Sequence, residues 1–360
     1  MSTGPADLDL GGPGGDLRPS RRAVVSTAVV LVVVAIGLSW AKWWPYAHKI
    51  DGLVGTGAWS GSSPLDVARD APSVWAGAWD FTVAYTQAVW KALLVGLVLA
   101  AGIDALVPRR WVQRLLTRRS TTSSGLLAGA LSLPSMMCTC CAAPVAVSLR
   151  RSGVPAPSVV AYWLGNPVLN PAVLVFLALV GPWQWVAARL LVGLALVVGA
   201  AVLAGRLLPG RVTPPSGLVE EAKGEDDRPG GPVTRFARSL GRLSITLVPE
   251  YLLLVALVGA GAHLAPADLD LGAGPLALVA LAVVALLVVI PTAGEIPVLL
   301  ALAAAGASPW VLGLALLLLP AVSLPSLAMV GRALTWRVTG AVAGLTVASG
   351  VAAGAVIAVL

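Results

Sequence analysis

Residues 183–208 read WQWVAARLLVGLALVVGAAVLAGRLL, and Arg189 and Arg206 are the only charged side chains in this stretch. A helix of about 20 predominantly apolar residues is long enough to cross the hydrocarbon core of a bilayer. Further apolar stretches occur at 23–38, 81–107, 156–180, 236–263, 308–330 and 338–360. The sequence therefore predicts an all-α polytopic membrane protein with about seven full spans.

The composition of the whole chain agrees with this prediction. Its 360 residues are 58% hydrophobic and 11% charged, and its mean hydropathy is +0.88, whereas soluble domains carry about 25% charged residues. A soluble enzyme, a nucleic-acid-binding protein and a disulfide scaffold are all disfavoured. The net charge of +7 does not indicate nucleic acid, because the arginines lie beside apolar stretches, as the positive-inside rule predicts.

Two regions contain pairs of apolar pieces that are each too short to span a bilayer. The first pair covers 122–137 and 138–149, and the second covers 275–290 and 294–305. Each pair predicts a re-entrant hairpin or a broken helix. Both halves show the order of one span, one short pair and two further spans, which predicts an internal duplication.

The charge distribution predicts the orientation of these repeats. With the N-terminus in the cytoplasm and the C-terminus outside, most of the 24 lysines and arginines lie on the cytoplasmic side. The first short pair then enters from the cytoplasm and the second from outside, so the repeats are inverted. Inverted repeats with interrupted helices are typical of secondary transporters.

These patterns divide the chain into five parts. A cleaved signal peptide is the alternative for 23–38, but the tryptophans that follow, Trp40, Trp43 and Trp44, favour an uncleaved helix with an interfacial aromatic belt. The expected parts are a disordered tail at 1–22, a first membrane helix with an outer Trp-rich segment at 23–80, a first repeat at 81–208, a cytoplasmic linker at 209–235 and a second repeat at 236–360.

The break within the first short pair is rich in sulfur. The three cysteines of the chain, Cys138, Cys140 and Cys141, all occur here, directly after two methionines. Thiolate and thioether groups are ligands for soft metals and metalloids. The alternative is that these residues are apolar fillers at a tight helix break. Cys140 and Cys141 are adjacent, so they are not expected to bind one ion together without distortion of the backbone.

The following span contains a polar, proline-rich motif at mid-membrane depth. It consists of Asn166, Pro167, Asn170 and Pro171, and its two prolines each remove a backbone donor and free carbonyl oxygens there. The asparagines are predicted to contact a substrate, because polar groups at this depth usually line a cavity. The alternative is a kinked helix whose asparagines bind the backbone. Ser323 belongs to a weaker version of the motif in the second half.

Of the ionisable residues within the predicted spans or breaks, five are candidates for a role inside the membrane: Lys91, Asp104, Arg189, Glu250 and Glu295. Arg189 is expected to snorkel to the interface, and Asp104 to be solvated or paired with basic groups. Lys91 and Glu250 are predicted to face each other, because aligning the matching helices places them at the same depth. Glu295 is predicted to be a proton-linked carboxylate at the second break, with capping of a short helix as the alternative.

At its two breaks the chain resembles the ArsP-type permease family, whose arsenical branch exports trivalent organoarsenicals. The resemblance covers roughly residues 80–360 and rests on CTCCAAP at 138–144, LRRSG at 149–153, NPVLNP at 166–171, GEIP at 294–297 and GAS at 306–308. It implies an all-α permease of the cell membrane that works by alternating access. Soft metalloids or organoarsenicals are the substrate class that it suggests.

The expected function is thus a multi-pass permease of the inner or plasma membrane, with no enzymatic activity and no cofactor. Its expected partners are the lipid bilayer and a small-molecule or metalloid substrate, and nucleic acid is not expected. One alternative is a membrane-embedded component that binds a soft metal without transporting it. Another is a non-transporting partner of a different transporter. No nucleotide-binding motif is present, so transport would draw on a gradient or be passive.

Overall fold

The computed structural model describes residues 21–59, 64–117, 120–208, 231–264 and 274–360, and this part of the chain contains helices and no strand. The tail predicted at 1–22 and most of the linker predicted at 209–235 lie outside it. The α-helices are α1 (Arg21–Leu38), α2 (Trp44–Thr56), α3 (Pro64–Arg69), α4 (Val74–Ala105), α5 (Arg109–Leu116), α6 (Thr121–Ser132), α7 (Thr139–Arg151), α8 (Ala156–Val168), α9 (Pro171–Val180), α10 (Trp183–Leu207), α11 (Pro232–Leu264), α12 (Pro275–Leu287), α13 (Glu295–Ala304), α14 (Pro309–Ala321), α15 (Leu324–Ala333) and α16 (Trp336–Val359).

Among the described residues, six helical stretches are long and apolar enough to cross a membrane. They are Val24–Thr56, Val74–Ala105, Ala156–Val180, Trp183–Leu207, Pro232–Leu264 and Trp336–Val359. Helices α14 and α15 together form a seventh candidate that is bent by 54° at its break. The prediction of an all-α polytopic membrane protein is confirmed.

The first membrane helix is longer than the sequence suggested. It does not end at Leu38 but widens into a π-type turn at Ser39–Trp43 and continues as α2 to Thr56. Pro45 lies in the first turn of α2, and since proline has no N–H, the preceding turn must give up a normal helical hydrogen bond. The wider turn absorbs this loss, so the Trp-rich segment predicted to be outside the membrane helix is part of it.

Helices that correspond in the two halves pack in corresponding ways. Helix α8 packs on α6 and α10, and its counterpart α14 packs on α12 and α16. Across the halves, α4 packs along its counterpart α11, and α10 along its counterpart α16. Two copies of one unit related by an approximate two-fold axis would show this pattern.

Segments that were all predicted to be cytoplasmic meet at one end of the helices. The Ser26 hydroxyl donates to the carbonyl oxygen of Leu106 at 3.1 Å. The Gln113 side-chain amide donates to the carbonyl oxygen of Ser152 at 2.8 Å. The start of α1, the end of α4, helix α5 and the end of α7 therefore lie on the same side of the molecule.

Candidate functional site

The helix breaks of the two halves meet at one small cavity. It is only about the size of a single water molecule, so the molecule is closed around this point. The cavity is lined by residues from the first break, the Asn-Pro motif, the second break and the α14 end, namely Met137, Cys138, Pro167, Val173, Ile290, Pro291, Thr292, Glu295 and Pro320.

The three cysteines form one buried cluster beside this cavity. The Cys138 Sγ atom lies 3.1 Å from the Sγ atoms of Cys140 and Cys141, and all three sulfur atoms lie within 4.8 Å of one another. Cys138 has an extended backbone (φ −73°, ψ 167°) and precedes the first residue of α7. Its side chain therefore folds back over the first turn of that helix.

This arrangement differs from the expectation that Cys140 and Cys141 would not converge on one ion. Cys140 and Cys141 lie in the first turn of α7, and Cys138 reaches both because the chain turns just ahead of it, where Met136 has a φ of +47°. A positive φ is uncommon for a residue with a side chain and marks a sharp change of chain direction. The break thus brings the three thiols together, a geometry suited to a soft ion.

Asn166 holds the first break in place. Its carbonyl oxygen accepts a hydrogen bond from the backbone N–H of Met137 at 2.8 Å, and its amide donates to the Ser135 hydroxyl. The side chain is fully buried in α8. These contacts agree with the alternative in which the asparagine side chain binds the backbone. They hold the segment that contains Cys138 in place.

Asn170 and Pro171 leave two carbonyl oxygens free in the middle of the third candidate span, Ala156–Val180. Pro171 has no N–H to offer the carbonyl oxygen of Pro167. The N–H of Ala172 binds the Asn170 side chain at 3.1 Å, which caps α9. The carbonyl oxygens of Pro167 and Val168 therefore need another donor.

Arg189 supplies that donor, and its position differs from the one predicted. Its Nε atom donates to the carbonyl oxygen of Val168 at 2.9 Å, and its Nη2 atom donates to that of Pro167 at 3.0 Å. The side chain is 0% exposed, so the prediction that Arg189 snorkels to the interface is wrong. The carbonyl groups freed by the Asn-Pro motif draw the guanidinium inward.

Glu295 is the charged partner of Arg189. Its Oε1 atom lies 2.9 Å from Arg189 Nη2, and both side chains are buried. The residue that caps α13 is Gly294, which has no side chain to bind the helix start. Glu295 thus joins the second break to α10 in the first half through an ion pair, a contact that neither alternative for this residue had included.

Lys42 is a site residue that the sequence analysis placed outside the membrane core. It lies in the π-type turn after α1 and is only 5% exposed. Its Nζ atom donates to the hydroxyl oxygens of Thr292 and Tyr46, each at 3.0 Å. Thr292 lines the cavity, so the first helix brings a cation to the second break.

Two tyrosines support the cysteine cluster from the opposite side. Tyr85 of α4 places its hydroxyl oxygen 3.5 Å from Cys140 Sγ, and its ring lies 6.1 Å from that of Tyr251 in α11. Both rings are almost fully buried. The counterpart helices α4 and α11 therefore meet directly behind the thiols.

The predicted contact between Lys91 and Glu250 is wrong. Lys91 lies against tryptophan rings, with its Nζ atom 5.0 Å from the ring centre of Trp40. Glu250 pairs instead with Arg332 of α15, at 2.8 Å. The alignment placed the two residues at one depth, but depth does not determine the direction in which a side chain leaves its helix.

The other two polar candidates lie away from the cavity lining. Asp104 is paired with basic groups, as one alternative expected: its Oδ2 atom lies 3.9 Å from Arg151 and 3.8 Å from Arg242, and it accepts from the Ser239 hydroxyl at 3.4 Å. Ser323 caps the start of α15, and its backbone N–H donates to the Ser326 hydroxyl at 3.1 Å. Both residues hold helix ends in place.

Residues that sequence reasoning missed had only weak signals. Lys42 stands between Trp40 and Trp43, which is typical of an interfacial belt, and only its spacing of four residues to Tyr46 hinted at a shared helix face. For Arg189, the signal was the pair of prolines in the neighbouring span, since freed carbonyl oxygens need donors.

Comparison with known proteins gives consistent matches. Residues 74–359 match the model of the ArsP_1 family, described as predicted permeases. The chain is also similar to the UPF0718 protein YraQ of Escherichia coli (strain K12), with 41% identity over 335 residues, which covers 91% of this chain and 93% of that protein. No solved structure matches the chain.

Proposed function

The chain belongs to the ArsP_1 family of predicted permeases, and from this premise we propose that it exports a soft metalloid compound, with trivalent organoarsenicals as the leading class. Its residues form an integral membrane permease, and the proposal concerns what that permease carries and how. Export across the cell membrane by alternating access, with the cytoplasmic N-terminus predicted above, is part of the proposal.

The observation that carries the substrate class is the cluster of three thiols within 4.8 Å of one another. A trivalent organoarsenical with two hydroxyl groups can exchange both for thiols, forming two As–S bonds and releasing two water molecules. Soft ligands of this kind favour such elements over hard cations. Cys138 lines the cavity whereas Cys140 and Cys141 do not, so we propose that Cys138 meets the substrate first.

The closed cavity supports alternating access. It has no room for an organoarsenical, so the surrounding helices must separate before a substrate enters. The parts that meet there are the breaks of both halves and the bent end of α14. Interrupted helices that meet between two repeats are where transporters of this architecture place their substrate.

Glu295 remains our proposed coupling residue, now together with Arg189. A buried carboxylate that loses its charge would release Arg189 from the second break and weaken the contact between the halves. Proton binding and substrate movement would then be linked through one ion pair. Transport driven by a proton gradient should therefore respond to the gradient in the wild type and lose that response in Glu295→Gln.

Reconstituted vesicles provide the test of the substrate class. The purified chain should move phenylarsine oxide, a trivalent arsenical, into sealed vesicles containing glutathione faster than vesicles without protein take it up. The triple substitution of Cys138, Cys140 and Cys141 by serine should abolish the protein-dependent rate. The control is Met329→Leu, which removes a buried sulfur atom that does not line the cavity. An unchanged rate in the triple variant would refute the substrate proposal.

The same vesicles separate the alternatives. A chain that binds phenylarsine oxide through its cysteines but does not move it would be a soft-metal-binding component. A chain that neither binds nor moves it would leave the permease assignment with a different substrate, or would act as a partner of another transporter. The three cysteines favour the first proposal, because their cluster opens on the cavity where the two halves meet.

A further inference from the structure

Lys42 is a buried cation that has no carboxylate partner among the described residues. Its Nζ atom binds only the hydroxyl groups of Tyr46 and Thr292 and lies 5.2 Å from the Tyr46 ring centre. Arg189, in contrast, has the carboxylate of Glu295. A buried charge is stable only when an opposite charge or several hydrogen bonds compensate it, and Lys42 has two hydroxyl groups in place of a carboxylate.

Near the cavity, two buried hydrogen-bond donors lack an acceptor. Arg189 has a buried Nη1 atom without an acceptor, and Asn170 has a buried Nδ2 atom without one. Both residues bind cavity-lining groups: Arg189 binds Pro167 and Glu295, and Asn170 caps the N–H of Val173. Buried polar groups normally find partners, and here the unpaired atoms are donors.

We propose that Lys42 is a substrate-binding residue and that the substrate carries a negatively charged oxygen group beside its sulfur-seeking atom. This rests on the proposed function, which supplies the sulfur-seeking part, and adds the charge of the substrate. The sulfur-seeking atom binds the thiols, and the oxygen group is bound by Lys42 and the free donors of Arg189 and Asn170. A buried ammonium group without a carboxylate and two unpaired donors together favour an acceptor that carries negative charge.

The contrasting explanation is that Lys42 only ties the first helix to the second break. Its hydrogen bond to Thr292 would serve that purpose, and Trp43 makes a parallel link through its indole N–H to the carbonyl oxygen of Pro134 at 2.8 Å. A neutral side chain with hydrogen-bonding groups would tie the helix equally well. The charge of Lys42 therefore distinguishes the two roles.

A matched pair of probes tests the charge directly. Phenylarsine oxide is neutral, and its para-carboxylate derivative adds one negative charge to the same trivalent arsenic compound. Calorimetric titration of the purified full chain in detergent should show the wild type binding the carboxylated probe about tenfold more tightly than the neutral one, as one charge-assisted hydrogen bond warrants. Lys42→Gln should bring this ratio to about one.

Two further variants control the experiment. Lys42→Arg keeps the charge and should keep the ratio. Lys49→Met removes a lysine from the same long helix, where its Nζ atom lies over the Trp59 ring at 3.6 Å, and should leave the ratio unchanged. A ratio of about one in the wild type, or the same preference in Lys42→Gln as in the wild type, would overturn the proposal.

Failure of the proposed function gives a different result. The substrate class is wrong if neither arsenical binds to the wild type. It is also wrong if the variant with all three cysteines replaced by serine binds both arsenicals as tightly as the wild type does. Benzoate, which carries the carboxylate without arsenic, then still tests Lys42. Benzoate binding that is lost in Lys42→Gln would support the anion site, and benzoate binding that is absent or insensitive to Lys42→Gln would refute it.

Discussion

At the scale of single residues, the ion pair of Arg189 and Glu295 is the contact on which the site depends most. Both side chains are buried, and Arg189 also binds two backbone carbonyl oxygens. Removing one member of a buried pair leaves the other charge uncompensated, which typically costs about 3–5 kcal/mol. The arginine is the more critical member, because it holds both the Asn-Pro motif and the second break.

Arg189→Met should therefore lower the thermal unfolding midpoint in detergent more than Glu295→Gln does. In Glu295→Gln the guanidinium keeps its two carbonyl acceptors, whereas in Arg189→Met the carboxylate is left alone. The double variant should recover part of the loss, because no charge is then uncompensated. Arg206→Met, an exposed position on the same helix, is the control and should change the midpoint little. Strict additivity of the two single losses would contradict the assigned contact.

At the scale of helices, the cysteine cluster depends on the close approach of α7 to α4. Gly96 of α4 faces the backbone of α7, and a Cβ atom added there would lie 2.8 Å from the carbonyl oxygen of Cys141. Backbone atoms at a helix contact cannot move aside as a flexible side chain can. The absence of a side chain at Gly96 thus sets the depth at which the thiols lie.

Gly96→Ala should consequently force α7 away from α4 and weaken phenylarsine oxide binding. Overpacking of this kind typically destabilises by about 1–3 kcal/mol. The matched control is Gly199→Ala on α10, where the nearest atom to the added Cβ is Leu345 Cδ2 at 3.5 Å, an ordinary contact. Calorimetry measures the affinity of both variants for phenylarsine oxide. If Gly96→Ala binds it as tightly as Gly199→Ala does, the helix contact does not position the thiols.

At the scale of the whole molecule, the two halves form one site. Cys138 comes from the break of the first half, Glu295 and Thr292 from that of the second, and Lys42 from the helix that precedes both. The counterpart helices α4 and α11 pack against each other, as do α10 and α16. A relative movement of the halves would therefore change the site directly, as alternating access requires.

The orientation predicted from the positive-inside rule assigns each loop to one side of the membrane. In a variant without native cysteines, a single cysteine replacing Gly224 should be protected from a membrane-impermeant maleimide in intact cells, and one replacing Ala267 should be labelled. Both positions lie outside the described residues, in polar segments between helices. Labelling at position 224 from outside would refute the orientation derived from the positive-inside rule.

The sequence alone was sufficient for the membrane class, the spans and the positions of the breaks. Length and apolarity decide whether a segment enters a bilayer, and short apolar pieces with prolines at their ends mark places where a helix is interrupted; both are local properties. The cysteine-rich break and the Asn-Pro motif could therefore be located without knowledge of any contact. The continuation of α1 beyond Leu38 was missed, because the apolar stretch ends there and the tryptophans that follow are typical of a membrane interface.

Which side chains meet was decided only by the tertiary structure. Arg189 was expected at the interface and binds Glu295, while Glu250 was expected to bind Lys91 and binds Arg332. Pairing between helices depends on their rotation about their own axes and on their tilt, and many helices fix these together through packing. Lys42 shows the consequence: its sequence neighbours suggest a membrane surface, but the packing of its helix places it at the centre.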